Sequence, residues 1–569
     1  MRVYEAIVRG LEGVGVDAAF GGAGENAAGL MLALKHSARI RPVITRHEQA
    51  ASFMACGYTM LTGRLGVCFA TAGPGAFNLF SGLAAALSDS CPVLAISGYA
   101  SLHWKGKGSL NETSGVSRTP DSQAMFAATT KKSFLLTDAS RTCDVLEEAV
   151  NLALAGRPGP VHIHVPENLT HHSISVDNYR DIDLDVDPMF PDAARVAGVA
   201  DLLIDALSKG KKVLALIGFG AVRSNAGPEL KELVERYQIP FVTTLDGKGI
   251  ISEGHPLSIG VFCDSGHKAA SKAFLAADVV LAVGNSFAQH ATFAFRDDLF
   301  ENRKLIHVNI DIGEIDKVYK ADAAIIADAK PAIAALNAKM RDRLEPVPPQ
   351  PMERHDYSEE RIVHLFDKIH PGKLAQALSR LLPDNAIVLA DAGAHLAWLG
   401  YYLELSSSQR FRKPGGFGPM AGSTNGALGV KYAHPDRPVI VGCGDGCYLL
   451  SGFELLTAVQ YDIPVIWIIF NDNEFKLIKL YQLSAYGESG LVEFENPDYA
   501  AYAKACGARG YRVETLDEFE AALADALALG KPVIIDAHIA RLALPVYSPS
   551  PAGLIAGVAE MVVDRIDPG

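Results

Sequence analysis

VIVGCGDG (439–446), SGFELLTAVQY (451–461) and IPVIWIIFNDNEFKLIKLYQ (463–482) form the stretch of sequence that decides the fold. Two runs of β-branched and apolar residues, 439–441 and 465–470, are typical of buried parallel strands. The segment between them has the apolar spacing of an amphipathic helix. The stretch therefore predicts one βαβ unit of a doubly wound sheet.

Each of these predicted strands ends in a small polar cluster, GDG at 444–446 and NDN at 471–473. Ligands of open α/β sheets bind outside the carboxyl ends of the strands, so the two clusters should face one crevice. Asp445 and Asp472 could there bind Mg²⁺, with a backbone carbonyl near Glu474 and a ligand oxygen completing the coordination. Glycines beside Asp445 would let a phosphate approach backbone N–H groups. Taken alone, either cluster could also be an ordinary turn that closes a strand.

At this spacing, the two clusters resemble the cofactor-binding signature of the thiamine diphosphate (ThDP) enzymes. The wider pattern is similar to the acetolactate synthase (acetohydroxyacid synthase) branch of that superfamily, over essentially the whole chain. The resemblance implies an α/β protein with three doubly wound domains and mainly parallel sheets. In this family they are the pyrimidine-binding (PYR), middle and diphosphate-binding (PP) domains, and the cofactors are ThDP and Mg²⁺.

Length and charge limit the classes of function. A chain of 569 residues is long enough for about three domains. The net charge of −13 argues against nucleic acid or an anionic membrane as the main partner. No run of 18 uncharged apolar residues and no signal-peptide pattern is present, so the sequence predicts a soluble, cytoplasmic protein. The eight scattered cysteines are expected to be reduced thiols that fill core space.

Alternating helix and strand signals divide the chain into three predicted domains. The PYR domain is expected at 1–172, the middle domain at 190–344, and the PP domain with a C-terminal tail at 365–569. An aspartate-rich linker, 173–192, separates the first two domains, and a proline-rich spacer begins at Glu345.

Two features of the middle domain bear on nucleotide cofactors. The GFG at 218–220 lacks the third glycine of a dinucleotide fingerprint, because Arg223 stands in its place, so an NAD-dependent oxidoreductase is disfavoured. Some acetolactate synthases hold a non-redox FAD in this domain, with basic residues after the third strand. The corresponding segment here, VGNSFAQHATF (283–293), has no arginine, which makes FAD doubtful.

The first domain carries two glutamates that the resemblance singles out. Glu48, in TRHEQAASFMACGY (45–58), matches the glutamate that protonates the aminopyrimidine ring in ThDP enzymes. That chemistry requires a carboxylic acid in an apolar pocket, where desolvation raises its pKa. From the residues alone, a glutamate in a first helical turn is equally a surface residue favoured by the helix dipole. Glu25, in FGGAGEN (20–26), lies where some decarboxylases use an aspartate for proton transfer.

Two further segments of this domain are predicted to line the cavity. TAGPGAFN (71–78) is similar to the GPGATN element of acetolactate synthases, which implies that Gly73 and Asn78 contact the cofactor. By itself it is also an ordinary strand-to-helix turn. The carboligases of the family place a glutamine in the loop that follows, where the nearest candidates are Arg118 and Gln123. Arg118 would suit a second substrate with a carboxylate, or it is a solvent-exposed loop residue.

The third domain supplies the remaining predicted contacts. The resemblance implies that Gly393 and His395 contact the diphosphate, and that Met420, near Gly418, is the bulky apolar residue that holds the cofactor bent. A lone histidine after a strand is equally a structural residue. The further residues implied to contact the cofactor or its metal are Gly444, Asp445, Gly446, Cys447, Asp472, Glu474 and Leu477.

The residues after NDN bear on the reaction. Simple decarboxylases of the family carry a glutamate where this chain has Ile478, and an apolar residue there favours attack on a second carbonyl over release of an aldehyde. Tyr481 aligns with an aromatic residue that helps to select the acceptor. The resemblance therefore implies decarboxylation of a pyruvate-like 2-oxo acid followed by carboligation. Alternatives are a 2-oxo acid decarboxylase, an acyl-CoA lyase, or a cofactor-binding subunit without catalysis.

Two expectations concern assembly and the chain end. Glu48 and Asp445 are predicted on different domains, and in this family the site forms between two subunits, so a homodimer or a dimer of dimers is implied. The apolar tail SPSPAGLIAGVAEMVV (548–563) is expected to cover the mouth of the cavity.

Overall fold

The computed structural model describes residues 1–175, 179–349 and 368–545 of the chain. It contains three sheets of six strands each, and every strand pair in them is parallel. The predicted fold class, three doubly wound α/β units with parallel sheets, is confirmed. The predicted tail, 548–563, and most of the proline-rich spacer lie outside the described residues.

The first sheet has the strand order β2-β1-β3-β4-β6-β5. Its strands are β1 (Ala18–Gly21), β2 (Arg41–Ile44), β3 (Gly66–Ala70), β4 (Val93–Tyr99), β5 (Ser133–Leu135) and β6 (Val161–Pro166). Its helices are α1 (Val3–Gly13), α2 (Ala28–His36), α3 (Glu48–Met60), α4 (Pro74–Asn78), α5 (Phe80–Ser88), α6 (Ser122–Thr129), α7 (Thr142–Leu154) and α8 (Glu167–Thr170).

The second sheet has the order β12-β11-β10-β7-β8-β9. Its strands are β7 (Val213–Ile217), β8 (Phe241–Thr243), β9 (Ser258–Val261), β10 (Val279–Val283), β11 (Lys304–Asn309) and β12 (Ala323–Ile326). Its helices are α9 (Ala193–Ser208), α10 (Phe219–Arg223), α11 (Gly227–Tyr237), α12 (Lys268–Ala276) and α13 (Ala329–Arg341).

The third sheet has the order β14-β13-β15-β16-β18-β17. Its strands are β13 (Ile387–Ala390), β14 (Arg410–Arg412), β15 (Val439–Gly444), β16 (Ile466–Asn471), β17 (Arg509–Val513) and β18 (Val533–His538). Its helices are α14 (Pro371–Leu381), α15 (Ala394–Tyr402), α16 (Gly422–Ala433), α17 (Asp445–Leu449), α18 (Glu454–Tyr461), α19 (Lys476–Tyr486), α20 (Tyr499–Ala505) and α21 (Leu516–Leu529).

The predicted βαβ unit is present at the centre of the third sheet. β15 and β16 are parallel neighbours, with Ile440 opposite Ile466 and Gly444 opposite Phe470. Two helices, α17 and α18, make the crossover. The two strands are paired as far as Gly444 and Phe470. GDG and NDN therefore lie next to each other at the carboxyl edge of the sheet.

The first and third sheets share one hydrophobic core. Its buried side chains come from both regions and include Met54 and Tyr58 of α3, Leu428 of α16 and Trp467 of β16. Helices α3 and α16 meet through glycines: a Cβ at Gly57 would overlap the carbonyl of Gly426. Such close approach of two backbones holds the two sheets in a fixed relation to each other.

No helix among the residues that the structure describes is both long enough and apolar enough to span a lipid bilayer.

Candidate active site

A cavity of about 300 Å³ lies at the carboxyl ends of β13, β15 and β16. This volume is at the lower end of the range for small-molecule sites. The predicted site residues that line it are Gly393, His395, Gly418, Met420, Gly444, Asp445, Gly446, Cys447, Asp472, Glu474, Leu477 and Ile478. Parallel strands explain this convergence, because each strand delivers its following loop to the same edge of the sheet.

Asp445 and Asp472 lie side by side in this cavity. The Asp445 carboxylate accepts hydrogen bonds from the backbone N–H of Gly446 (2.8 Å) and of Asn473 (2.8 Å), and from the side chain of Asn496 (2.7 Å). Burial raises the pKa of Asp445, and it raises the pKa of Asp472 to about 7. Two buried carboxylates with raised pKa values gain from a bound cation, which fits the predicted site for Mg²⁺.

The Glu474 carboxylate is occupied by ion pairs. It pairs with Lys476 and, at 2.8 Å, with Lys479. Within the described ranges, no group of three or more His, Cys, Asp or Glu side chains is arranged to hold a metal ion. A metal contact at Glu474 would therefore use the backbone carbonyl rather than the side chain, and Mg²⁺ often completes such a site with waters and phosphate oxygens.

His395 and Gly393 form another part of the cavity wall. Gly393 has φ of +148°, which favours glycine, and it precedes the first residue of α15. Burial lowers the pKa of His395 to about 4, so the ring is neutral at pH 7. Its Nε2 atom is buried and has no hydrogen-bond partner among the residues that the structure describes. An unpaired polar atom facing a cavity fits a ligand oxygen or hydroxyl.

Met420 and Gly446 narrow the cavity from the side. A Cβ at Gly446 would lie 2.5 Å from the Phe475 ring and 3.4 Å from the Met420 Cε atom. Only glycine therefore leaves space between these two apolar side chains. Cys447 is buried beside them, and its thiol donates a hydrogen bond to the Ala392 carbonyl (3.0 Å).

Glu48 belongs to a second group of residues, at the carboxyl edge of the first sheet. It is the first residue of α3, and its Oε2 atom accepts a hydrogen bond from Asn78 (2.9 Å). Its Oε1 atom lies over Gly22 and over Gly75, since a Cβ at these glycines would lie 2.7 Å and 3.1 Å from that atom. The structure thus brings Glu48 and Asn78 together with the GPG turn.

The other predicted residues of this domain differ in their environment. Gly73 has φ of +61° and adjoins Asn111 of the following loop. Glu25 is exposed in a short 3₁₀ turn, beside the hydrogen bond from the Asn26 N–H to the Thr71 hydroxyl (3.2 Å). Arg118 is exposed in a left-handed conformation. Gln123 instead donates a hydrogen bond to the Ser133 carbonyl (2.6 Å), which ties α6 to β5.

The two groups of residues do not share a cavity in a single chain. Among the described residues, none before Pro371 lines the cavity of Asp445. Tyr481 does not line it either; its side chain is 59% exposed and packs edge-on against Tyr486. In one chain, therefore, the Glu48 group lies outside the cavity of Asp445.

A second, larger cavity of about 950 Å³ lies at the carboxyl ends of β7, β10 and β11. The segment 283–293 supplies no arginine, as the sequence indicates, but other elements do contribute basic residues. Arg157, Arg223 and Lys413 line this cavity. That FAD is doubtful stays a prediction. It was based on the segment 283–293, which forms only one wall of this cavity.

Sequence patterns missed two polar residues at this site: Asn496, which contacts Asp445 from behind the lining, and Lys476, which lines the cavity. Asn496 binds both Asp445 and Asn471 (2.7 and 2.9 Å), although it follows NDN by more than twenty positions. Lys476 lines the cavity, but FKLIKLYQ has the pattern of an ordinary amphipathic helix. The only sequence signal for Lys476 was its position four residues after Asp472, which places it one turn along a helix.

Three family models match the chain in the order of its three sheets. They describe the thiamine pyrophosphate enzymes: the N-terminal TPP binding domain matches 1–121, the central domain 200–336 and the C-terminal TPP binding domain 391–537. The fold and the cavity at GDG and NDN thus define a ThDP-dependent enzyme, with thiamine pyrophosphate being another name for ThDP.

Known relatives narrow this class. The chain is 31% identical to the probable acetolactate synthase large subunit of Methanocaldococcus jannaschii, over 100% of this chain and 96% of the relative. It is 30% identical to the probable acetolactate synthase large subunit of Methanococcus aeolicus, over 94% and 92% of the two chains. The acetolactate synthase large subunit of Corynebacterium glutamicum is also 30% identical, over 94% and 86%. The chain belongs to the acetolactate synthase family of ThDP enzymes, and the resemblance stated from sequence is confirmed.

Proposed function

We propose that this enzyme decarboxylates a pyruvate-like 2-oxo acid and joins the remaining fragment to a second carbonyl compound, with ThDP and Mg²⁺ as cofactors. The observation that carries this proposal is the apolar Ile478 on the wall of a cavity that also holds Asp445 and Asp472. Bound ThDP would supply the carbon that adds to the 2-oxo acid and would accept the electron pair left when carbon dioxide departs. The names of the three relatives support the same activity.

The chain's own residues would bind and orient the reactants. Asp445, Asp472 and the Glu474 backbone carbonyl would hold Mg²⁺ against the diphosphate, and His395 Nε2 would bind a polar group of the ligand. Met420 and Gly446 would fix the shape of the bound cofactor. A carboxyl oxygen of Glu48 would exchange a proton with the aminopyrimidine ring of a cofactor held by a partner subunit.

A homodimer, or a dimer of such dimers, would bring the two halves together. Each chain presents the Glu48 group and the Asp445 cavity as separate surfaces, so the complete site requires a second copy. Large apolar side chains are exposed in the segments that follow the two aspartates in sequence: Leu450 (61%) and Phe453 (72%) after Asp445, and Ile478 (52%) after Asp472. Large exposed apolar side chains are candidates for burial against a partner. The partner in this proposal is an identical chain.

We also propose a cytoplasmic location. All eight cysteines are free thiols and seven of them are buried. Thiols in this number without a disulfide are typical of a reducing compartment.

The experiment that tests this function follows the product formed from pyruvate, with and without an added aldehyde or 2-oxo acid acceptor. Carboligation predicts an acyloin or acetolactate-like product and little free acetaldehyde. Ile478→Glu should increase the share of aldehyde about ten-fold, because a positioned acid contributes on the order of 10²-fold to proton transfer. The control is Ile478→Gln. Glutamine has nearly the same shape as glutamate but no acidic proton, so this variant should keep the wild-type ratio of products.

Two results would contradict the proposal. Acetaldehyde as the main product of the wild-type enzyme, with acceptor present, would favour the 2-oxo acid decarboxylase. Release of a formyl or acyl group from a CoA thioester, without any reaction of pyruvate, would favour the acyl-CoA lyase.

A further inference from the structure

Lys476 is the residue of the cavity that the proposed function does not yet use. It is the first residue of α19, and its side chain is only 10% exposed. Among the described residues, it is the one lysine or arginine that lines the cavity. Its ammonium group lies 3.5 Å from Asp472 Oδ2 and also pairs with Glu474.

Other contacts hold the ammonium group at this place. Lys476 donates a hydrogen bond to the backbone carbonyl of Arg541, which lies just after β18. Arg541 in turn donates to the backbone carbonyls of Asp472 (2.7 Å) and Asn473 (3.3 Å). The lysine is therefore anchored from three sides and does not extend into solvent.

The charges in the cavity leave a role for this cation. With a divalent ion bound, Asp445 and Asp472 would both be ionised, and their two negative charges would only just be neutralised by that ion. Glu474 is already paired with Lys479, at 2.8 Å. The several negative charges of a diphosphate would then have little compensation in a buried site, where unpaired charge is costly.

We propose that Lys476 binds the diphosphate of the cofactor as a second, protein-borne cation beside Mg²⁺. A metal ion at Asp472 would take over that carboxylate and leave one N–H group of the ammonium for a phosphate oxygen, since lysine has three donors. The bond from ammonium to phosphate is a charge-assisted hydrogen bond. This inference rests on the proposed binding of ThDP.

The test measures ligand binding to the full-length protein by calorimetric titration, at saturating Mg²⁺, so that metal occupancy does not limit the result. Lys476→Met should weaken binding of ThDP about ten-fold or more, because hydrogen bonds to charged groups are among the stronger ones. Binding of thiamine, which has no phosphate, should be the same in the variant and in the wild type. Lys476→Arg should keep most of the affinity for ThDP.

Lys479→Met is the matched control. Lys479 also pairs with Glu474, three residues further along α19, but it does not line the cavity. This variant removes the same charge from the same glutamate, so it should change the affinity for ThDP by less than about three-fold. Circular dichroism of all variants checks that the fold is retained.

Two outcomes would overturn the role of Lys476, and a third would refute the proposed function. Unchanged or tighter binding of ThDP by Lys476→Met would overturn the inference and would mean that the lysine only neutralises Asp472. An equal loss in Lys479→Met would also overturn it, since the effect would then be one of general charge. A wild-type protein that fails to bind ThDP with Mg²⁺ would instead refute the proposed function.

Discussion

Glu48 is placed by contacts with the segments that follow β1 and β3. It begins α3, its carboxylate accepts a hydrogen bond from Asn78, and Gly22 and Gly75 leave room for it. A side chain at either glycine would displace the acid. The position of the carboxylate is therefore determined before any ligand binds, which is what a group that transfers a proton requires.

Replacement of this one acid should stop the reaction. We expect Glu48→Gln to lower kcat at least about 100-fold, since the amide keeps the size of the side chain but cannot exchange the proton. The measurement is the steady-state rate with pyruvate, together with proton–deuterium exchange at C2 of ThDP. Glu148→Gln, an exposed glutamate of α7 paired with Lys132, is the control and should keep the wild-type rate. Full activity of Glu48→Gln would refute the assigned role.

Motif residues could be predicted from sequence, and their neighbours could not. Asp445 and Asp472 follow strands that the apolar pattern reveals, so their convergence follows from parallel pairing. Asn496 reaches Asp445 from a loop with no recognisable pattern. The pairing of Lys476 with Glu474 depends on how the loop after β16 turns into α19, which periodicity does not describe.

At the scale of elements, Glu454 of α18 connects the third sheet to the start of α3. Its Oε1 atom accepts hydrogen bonds from the backbone N–H groups of Arg46 and His47, both at 2.9 Å. Its Oε2 atom accepts one from the Thr457 hydroxyl (2.7 Å). Because Glu48 follows directly, this carboxylate of one domain fixes the turn that presents the acid of another.

Loss of this acceptor should lower the stability of the protein. Glu454→Ala leaves two backbone N–H groups without their partner, which should lower the free energy of unfolding by about 1–3 kcal/mol. Denaturant titration measures that change. Glu454→Gln keeps one acceptor oxygen, so we expect a smaller loss of stability. A larger loss in the glutamine variant than in the alanine variant would contradict this account.

Buried histidines of β6 should make stability depend on pH. The Ser97 hydroxyl contacts His162 Nε2 (2.9 Å) and His164 Nδ1 (2.8 Å), and the Ser122 hydroxyl contacts His164 Nε2 (3.0 Å). Burial lowers the pKa of His164 to about 3, and burial also lowers the pKa of His162 well below its usual range. Both rings stay neutral in the folded protein, whereas histidine in the unfolded chain protonates near pH 6.5.

The sign of the effect follows from these pKa values. A depressed folded pKa means that stability is fully present above pH 6.5 and falls as the pH drops toward 3. Between pH 7 and pH 5, His164 should lose about 2 kcal/mol of its contribution. Burial raises the pKa of Asp391 to about 6, and such carboxyl groups act in the opposite direction.

A comparison with a variant isolates the histidine. The difference in free energy of unfolding between the wild type and His164→Gln should shrink on going from pH 7 to pH 5, because the carboxyl groups are common to both proteins. Denaturant titrations at the two pH values give this difference. A constant difference would mean that His164 has the same protonation in the folded and unfolded states.

Strand periodicity predicted most elements of the sheets but not all of them. The two central strands predicted from apolar runs, β15 and β16, have six residues each. β5 and β14 went unrecognised, and they have only three residues each, which is too few for a clear period. They lie at or near sheet edges, where a neighbouring strand supplies the pairing.

The separation of Glu48 from the Asp445 cavity predicts active sites to which two chains each contribute residues. Two inactive chains, one with Glu48→Gln and one with Asp445→Asn, should recover activity when they are mixed and allowed to exchange subunits. One site of each mixed dimer then has both acids intact, so about a quarter of the wild-type activity should return. Activity is measured before and after exchange. No recovery, with mixed dimers present, would place both acids in one chain.

The glycine contact between α3 and α16 limits how the molecule can open. Gly57 lies directly against the Gly426 carbonyl. The units of the first and third sheets therefore have little room to move relative to each other at this contact. Entry and exit of small molecules would then depend on movement of α19. Its residues Leu477 and Ile478 line one side of the cavity. In such an enzyme the slow step of a catalytic cycle would be a local displacement of one helix at the entrance of the cavity. The rest of the fold would not rearrange.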